Sequence, residues 1–273
     1  VTALLDAPAL YAPYVGGDPA AALRECRGVI EHAITHHPRS LQTAIGPSEI
    51  GTPCDHCLAA KLAGWQETER GIAWLPTIGT AVHAWIEESF ITSENARNAV
   101  HTGGLRYRTE ASVMVGQING VDVWGSTDLL DLAVGMTVDW KIVGPTTLRS
   151  AKAGPKPGYR VQADLYAKGW NDAGVRVDHV AIAYLPRNAM SLGDAVLWTA
   201  PHDRGRAERA LARATGIARN IAALATLGDT AVTAWIATLP RDPDCWDCAR
   251  FPDGAGITSP GHHTPAPFAD LLG

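Results

Sequence analysis

An α/β fold, with a central mixed sheet of about five strands and helices on both sides, is what the sequence predicts. Three observations predict it. Helical spacing of apolar residues dominates up to residue 90. From Tyr107 the period shortens to two over three consecutive runs, 107–117, 121–133 and 136–144. From Tyr159 onward helical and strand-like runs alternate again, and a helical, cysteine-bearing stretch closes the pattern.

In order along the chain, residues 20–37 read as a helix that His37-Pro38 stops. Ser48 precedes a short segment that carries Cys54 and Cys57 and turns helical toward Gly64. Residues 77–90 predict a helix with Ile78, Val82, Trp85 and Ile86 as its apolar stripe and His83 beside the packed face. Asn119-Gly120 between two period-two runs predicts a tight hairpin, and the third run extends it to an antiparallel meander that brings Asp128 near Asp139. Residues 159–173 predict a helix capped by Gly174, with Tyr159, Gln162 and Tyr166 on one face. Strands are expected at 177–186 and 195–200, a long helix at 202–227 and a short one at 231–238. The expected organisation is an N-terminal helical segment 1–47, a core 48–250 and a Pro- and Gly-rich surface extension 251–273.

The 273 residues, 46% of them hydrophobic, suffice for one large domain or two ordinary ones. No run reaches the roughly 18 apolar residues of a membrane span, and the first residues lack the charged start and long apolar stretch of a signal peptide. A cytoplasmic protein without a membrane partner is therefore expected. The net charge of -5 is unlike that of many nucleic-acid-binding domains, which are basic overall. Two local clusters run the other way. Arg149, Lys152, Lys156 and Arg160 lie in RSAKAGPKPGYR, read as a loop without an acid, and Arg206, Arg209, Arg213 and Arg219 follow one another along a helix. They are candidates for a phosphate-attracting surface, and a solvated loop and helix face explain them equally well.

Strands that pack in a core favour Val, Ile, Thr and aromatics, and a buried, unpaired carboxylate costs roughly several kcal/mol. Asp128 in GSTDLLD and Asp139 in VDWK therefore need a cation or donors. Both are suitable hard ligands for Mg2+ or Mn2+, and Lys141 falls on the same side of its strand as Asp139. Hydrolysis of a phosphodiester needs an activated water and charge neutralisation at phosphorus, which such ions and a nearby lysine supply. Asp131 has the opposite strand parity to Asp128 and reads as a strand-end residue.

His83 in GTAVHAW, Asp128, Asp139-x-Lys141, and Gln162 and Tyr166 in VQADLYAKG stand in an order that resembles the PD-(D/E)XK nuclease superfamily, specifically the RecB-like exonucleases including their CRISPR-associated iron-sulfur members. The resemblance covers roughly residues 48 to 250 and implies a restriction-endonuclease-like core and a metal-dependent DNA exonuclease, with single-stranded DNA or DNA with free ends as partner. It implies that His83, Asp128 and Asp139 coordinate Mg2+ or Mn2+ with the Trp140 carbonyl. Lys141 would position the attacking water, and Gln162 and Tyr166 would contact the substrate or brace the site. Glu110 and Glu87 are secondary candidates.

Cys54, Cys57, Cys245 and Cys248 form two Cys-x-x-Cys pairs on either side of the core, a clasp joining the N- and C-terminal segments. The spacing fits Zn2+ or a [4Fe-4S] cluster alike. The resemblance implies [4Fe-4S], although the two-and-two division departs from that group's usual one cysteine before the core and three after it. His56 is not needed beside four thiolates, and Cys26, without a partner, is expected to be a buried thiol. The competing expectation is a catalytically silent nucleic-acid-binding or assembly module on the same fold, with Zn2+ in place of the cluster.

Overall fold

The computed structural model describes residues 16–37, 45–65, 67–68, 71–100, 103–245 and 247–253. Contacts divide the chain into two units, Val1–Gln42 with Gly71–Trp74, and Thr43–Arg70 with Leu75–Gly273. The first contains helix α1 (Pro19–Thr35), which starts where Asp18 accepts the amides of Ala20 and Ala21 at 2.9 and 3.2 Å. Cys26 lies on α1 and is exposed, not buried, because α1 leaves most of its residues in solvent.

The second unit carries the sheet. It opens with α2 (Pro47–Ile50), α3 (Asp55–Leu62) and α4 (Trp74–Asn98). Three strands follow, β1 (Tyr107–Ile118), β2 (Val121–Asp131) and β3 (Met136–Val143), paired as the predicted antiparallel meander. Asn119 and Gly120 take φ of 49° and 83°, the left-handed pair that a two-residue hairpin turn demands. Helices α5 (Pro145–Ala151) and α6 (Pro157–Asp172) cross over to β4 (His179–Pro186), which pairs parallel to β3, and β5 (Val196–Pro201) returns antiparallel beside β4. The sheet order β1-β2-β3-β4-β5 is thus mixed, as expected for an α/β fold of five strands. Helices α7 (Arg204–Ala225) and α8 (Asp229–Ala237) lead to a 3-10 turn at Cys248–Arg250. The predicted extension beyond residue 253 lies outside the described residues.

The pleat sends Leu129 and Leu130 to opposite faces, and this alternation builds two cores. Helices α6 and α7 cover the face that buries Val115, Leu130, Leu165, Ile182 and Ile217. The other face buries only Leu129, Val138 and Ala183, with Phe90 of α4 set edge-on to Tyr107 and stacked near Trp140. That smaller core explains a correction in α4: Ile86 is buried, whereas Trp85, expected in the apolar stripe, is 66% exposed. The backbones of Gly51 and Gly158 approach so closely that a Cβ on Gly158 would stand 2.8 Å from the Gly51 carbonyl oxygen, so the segment leading into α3 is seated on the start of α6.

A further difference concerns the basic residues. The stretch read as a loop is mostly helical, since Pro145 starts α5, which carries Arg149, and Pro157 starts α6, which carries Arg160. Among the described residues no helix is long and apolar enough to cross a membrane.

Candidate functional site

The site forms where the β2–β3 ladder ends. The last ladder pair toward the site is Leu129 with Val138, and one further step in that register sets Asp128 against Asp139. Instead of continuing the ladder, the Trp140 amide donates to Asp128 Oδ2 at 2.8 Å, so a side chain replaces the backbone acceptor and fixes the carboxylate. On the other flank, Thr109 pairs with Leu129 and Ala111 with Thr127, and Glu110 between them opposes Asp128. Glu110 has a φ of +42°, a left-handed conformation that is rare for a residue with a side chain, and Ser126 donates to its carboxylate at 2.8 Å.

His83 reaches this pair from α4. Its Nε2 lies 3.1 Å from the Trp140 carbonyl oxygen, which can only accept, so Nε2 carries a proton and Nδ1 faces the acids. Nδ1 is 3.6 Å from Asp128 Oδ1 and 3.9 Å from Glu110 Oε1, and it is buried without a hydrogen-bond partner. One ligand atom each from His83, Glu110 and Asp128 lie within 4.8 Å of one another. A nitrogen and two carboxylate oxygens around an orphaned buried atom suit a divalent cation of the Mg2+ or Mn2+ class. Without a cation, a proton takes the place: interaction with Asp128 and Glu110 pushes the His83 pKa up to about 9. Burial and the Glu110 charge also raise the Glu87 pKa, so Glu87 feels the same acidic pocket. The Trp140 carbonyl, expected as a metal ligand, accepts from His83 Nε2 and so orients the ring.

Asp139 stands apart from that group. Its carboxylate is buried and paired with Lys141 Nζ at 2.7 Å. Burial raises its pKa to about 6, with the Asp128 charge pushing the same way and Lys141 pulling against it. Lys141 also donates to Gln162 Oε1 at 3.1 Å and sits 4.7 Å from the centre of the Tyr159 ring. Burial disfavours the Lys141 charge, but Asp139 more than offsets it, so the pKa stands above that of an ordinary lysine. Tyr166 is buried beside Gln162, and desolvation drives its pKa up, which keeps the phenol protonated. The structure therefore brings together His83, Asp128, Asp139, Lys141, Gln162 and Tyr166, with the secondary candidate Glu110 opposite Asp128 and Glu87 near by; Ser126, two residues before Asp128 on the same strand face, was missed, and that shared parity is its signal in the sequence. Asp131 is buried on an ion pair with Arg106 at 2.9 Å and has no part in the site.

The four cysteines of the two pairs also meet. Cys54 and Cys57 frame the start of α3, Cys245 and Cys248 frame the C-terminal turn, and the four Sγ atoms lie within 4.8 Å of one another. The expected clasp between N- and C-terminal segments is formed.

The basic residues divide in two. Arg149, Lys152 and Lys156 are exposed along α5 and its connection to α6. Arg160 lies over the Trp198 ring at 5.3 Å and lines a cleft of 470 Å3 with Pro155, Pro157, Val161 and Arg206. On α7, by contrast, Arg206 is ion-paired with the fully buried Asp164 and lies 3.2 Å from Asp203. Arg213 is 3.1 Å from Asp55 and also bonds the Thr52 carbonyl. These two guanidiniums are internal clamps, and Arg209, near Asp203 at 3.8 Å, is the more exposed member of the row.

No protein-family model matches the chain, and no curated protein does. Among solved structures, an alkaline exonuclease from Laribacter hongkongensis aligns over 71% of this chain and 90% of its own at 12% identity and a TM-score of 0.40. A proposed exonuclease from Eubacterium rectale aligns over 79% and 90% at 15% identity and a TM-score of 0.43. A phage-related exonuclease from Haemophilus somnus aligns over 52% and 73% at 11% and 0.31.

Proposed function

We propose that this chain is a divalent-metal-dependent deoxyribonuclease that hydrolyses phosphodiester bonds of DNA, as an exonuclease acting on single strands or free ends. The observation that carries the reading is the convergence of His83, Glu110 and Asp128 within 4.8 Å, one strand away from the Asp139–Lys141 pair. His83, Glu110 and Asp128 would hold Mg2+ or Mn2+, with Asp139 beside them. Bound there, such an ion neutralises phosphate charge and makes a coordinated water a better nucleophile.

The protein's own groups then have distinct tasks. Lys141 stays an ammonium at neutral pH, so it cannot serve as the general base; it orients the water and offsets charge as phosphorus becomes pentavalent. Asp139 and Gln162 aim that ammonium from two sides, and the protonated Tyr166 behind Gln162 limits its motion. Asp128, fixed by the Trp140 amide, cannot swing away when the cation leaves. Arg149, Lys152 and Lys156 at the exposed edge, with Arg160 by its cleft, supply a path for the sugar-phosphate backbone.

The test is digestion of 5′- and 3′-labelled single- and double-stranded DNA in Mg2+ or Mn2+, beside Asp128→Asn. Metal-dependent shortening that the variant loses, read as a product ladder from one end, is the expected result. Binding of DNA without shortening by the unaltered protein replaces this reading with the silent binding module.

A further inference from the structure

The cysteine cage has a size, and size separates the two cofactors that the Cys-x-x-Cys spacing leaves open. Cys54 Sγ to Cys248 Sγ and Cys57 Sγ to Cys248 Sγ are both 3.5 Å, and Cys57 Sγ to Cys245 Sγ is 3.6 Å. Every pair among the four lies within 4.8 Å. One tetrahedral ion with metal–sulfur bonds of about 2.3 Å sets its thiolates on edges of about 3.8 Å. A cubane of four irons and four sulfides is itself several ångströms across and holds the cysteine sulfurs on the order of 6 Å apart. The observed edges fit one ion, and the upper bound of 4.8 Å falls short of the cubane. They are also far longer than the roughly 2 Å of a disulfide.

Half of the cage is set in the interior, and its other half is tethered to it. Cys54 and Cys57 are buried in the main core, and Phe251 beside the turn is fully buried as well. The two segments are tied by backbone bonds outside the cage, the His56 amide to the Pro240 carbonyl at 3.2 Å and the Thr68 amide to the Arg250 carbonyl at 2.9 Å. Backbone hydrogen bonds from Asp242 and Cys57 also reach Cys54. Pushing four sulfurs outward by more than an ångström each would break these contacts around a close-packed interior.

We infer that Cys54, Cys57, Cys245 and Cys248 hold a single tetrahedral Zn2+, and that the iron-sulfur cluster implied by the family resemblance does not fit this chain. Zn2+ is chosen over a lone Fe2+ because the same thiolates bind it more tightly in the divalent series, and its filled d shell accepts the tetrahedron without preference. The clasp is then a redox-inert pin between segments 188 to 194 residues apart in sequence. This inference goes beyond the nuclease reading and stands or falls without it.

The test uses the whole protein, purified without oxygen from cells supplied with both iron and zinc. Elemental analysis should give about one zinc per chain, with no acid-labile sulfide and no broad visible absorption. Anaerobic incubation with ferrous iron and sulfide should leave no chromophore after desalting. Replacement by Co2+ should give the intense visible bands of a tetrahedral tetrathiolate at a stoichiometry of about one. About four irons with four sulfides per chain, a cluster retained after desalting, a single iron without zinc, or failure of the metal-free protein to bind Co2+ would each overturn the inference. No readout depends on DNA cleavage, so a protein inert toward DNA still decides it.

Discussion

The acidic site and the cysteine clasp both gather ligands from distant parts of the chain, but different forces hold them in place. At the acidic site the sheet does the positioning. Asp128 is fixed by the Trp140 amide, Glu110 by the Ser126 hydroxyl and His83 by the Trp140 carbonyl, so the cage of ligands exists before any cation arrives. At the clasp, two short segments meet at the edge of the core, and four thiols alone have little reason to converge. The first site needs an exchangeable ion in order to act; the second needs a resident ion in order to persist.

The largest expected effect follows from that contrast. Lys141→Ala and Asp128→Asn should each lower DNA hydrolysis by about 10³-fold, within the range seen for groups that act on the reacting atoms. Asp128→Asn should keep a melting temperature near that of the unaltered protein, because the amide keeps the side chain's size and leaves the sheet intact, whereas Lys141→Ala should lower it by leaving the buried Asp139 carboxylate without its cation. Cleavage assays paired with calorimetry read both quantities. A large fall in the melting temperature of Asp128→Asn would mean that the acidic site, like the clasp, holds the fold together.

Stripping the clasp should do the reverse. Closing a loop of some 190 residues is worth on the order of 5 kcal/mol in chain entropy, on the same logic as a cross-link. Removal of the thiolate-bound ion should therefore lower the melting temperature by roughly 10 to 20 °C, at the few degrees per kcal/mol expected of a domain this size. It should also open the 240–253 segment to protease, whereas withholding Mg2+ should change neither. Equal proteolysis with and without the thiolate ion would leave the Pro240 and Arg250 backbone bonds as the real clasp.

The third effect depends on pH. His83 has its pKa raised from 6.5 to about 9, so in the absence of divalent ions it stabilises the fold fully below pH 6.5, and that contribution is lost as pH rises toward 9. Its distances to the acids are those of ion pairs, not hydrogen bonds, which sets the contribution at no more than about 3 kcal/mol. With Mn2+ present the trend should invert, because the ion displaces the His83 proton and binds more tightly as pH climbs through the same window. His83→Ala should flatten both curves in chemical denaturation and in Mn2+ titration.

How far these sites could be read in the sequence varies with the range of the signal. The hairpin at Asn119-Gly120 and the period-two runs are local, and they were enough to set Asp128 beside Asp139. They also make Glu110 a secondary candidate, but nothing in YRTEASV announces that residue 110 turns to a positive φ. Trp85 shares a helical stripe with Ile86, yet the small far core closes over Phe90 and leaves Trp85 outside. The arginine row on α7 reads as a free basic face because its partners, Asp55 and Asp164, lie far away in sequence. The cysteine spacing announces a metal site but not its diameter, which depends on how two segments from opposite ends of the core meet.

Glu110 sharpens the comparison with the smallest effect. A side chain held at a φ of +42° costs about 1 kcal/mol that glycine does not, so the acidic site stores strain where the clasp shows none among its described residues. Glu110→Gly should therefore stabilise the metal-free protein by up to about 1 kcal/mol above pH 9, where His83 is neutral and loses no ion pair with Glu110. The same change should weaken Mn2+ binding and cleavage. Glu110→Gln keeps the backbone conformation and the bulk, so it should weaken the ion without recovering the strain. If both variants bind Mn2+ as the unaltered protein does, Glu110 is no ligand and the cation rests on His83 and Asp128 with Asp139. If both lose it but neither gains stability, the left-handed turn is held at no cost by its neighbours, and the position of Glu110 is a property of the β1 backbone alone.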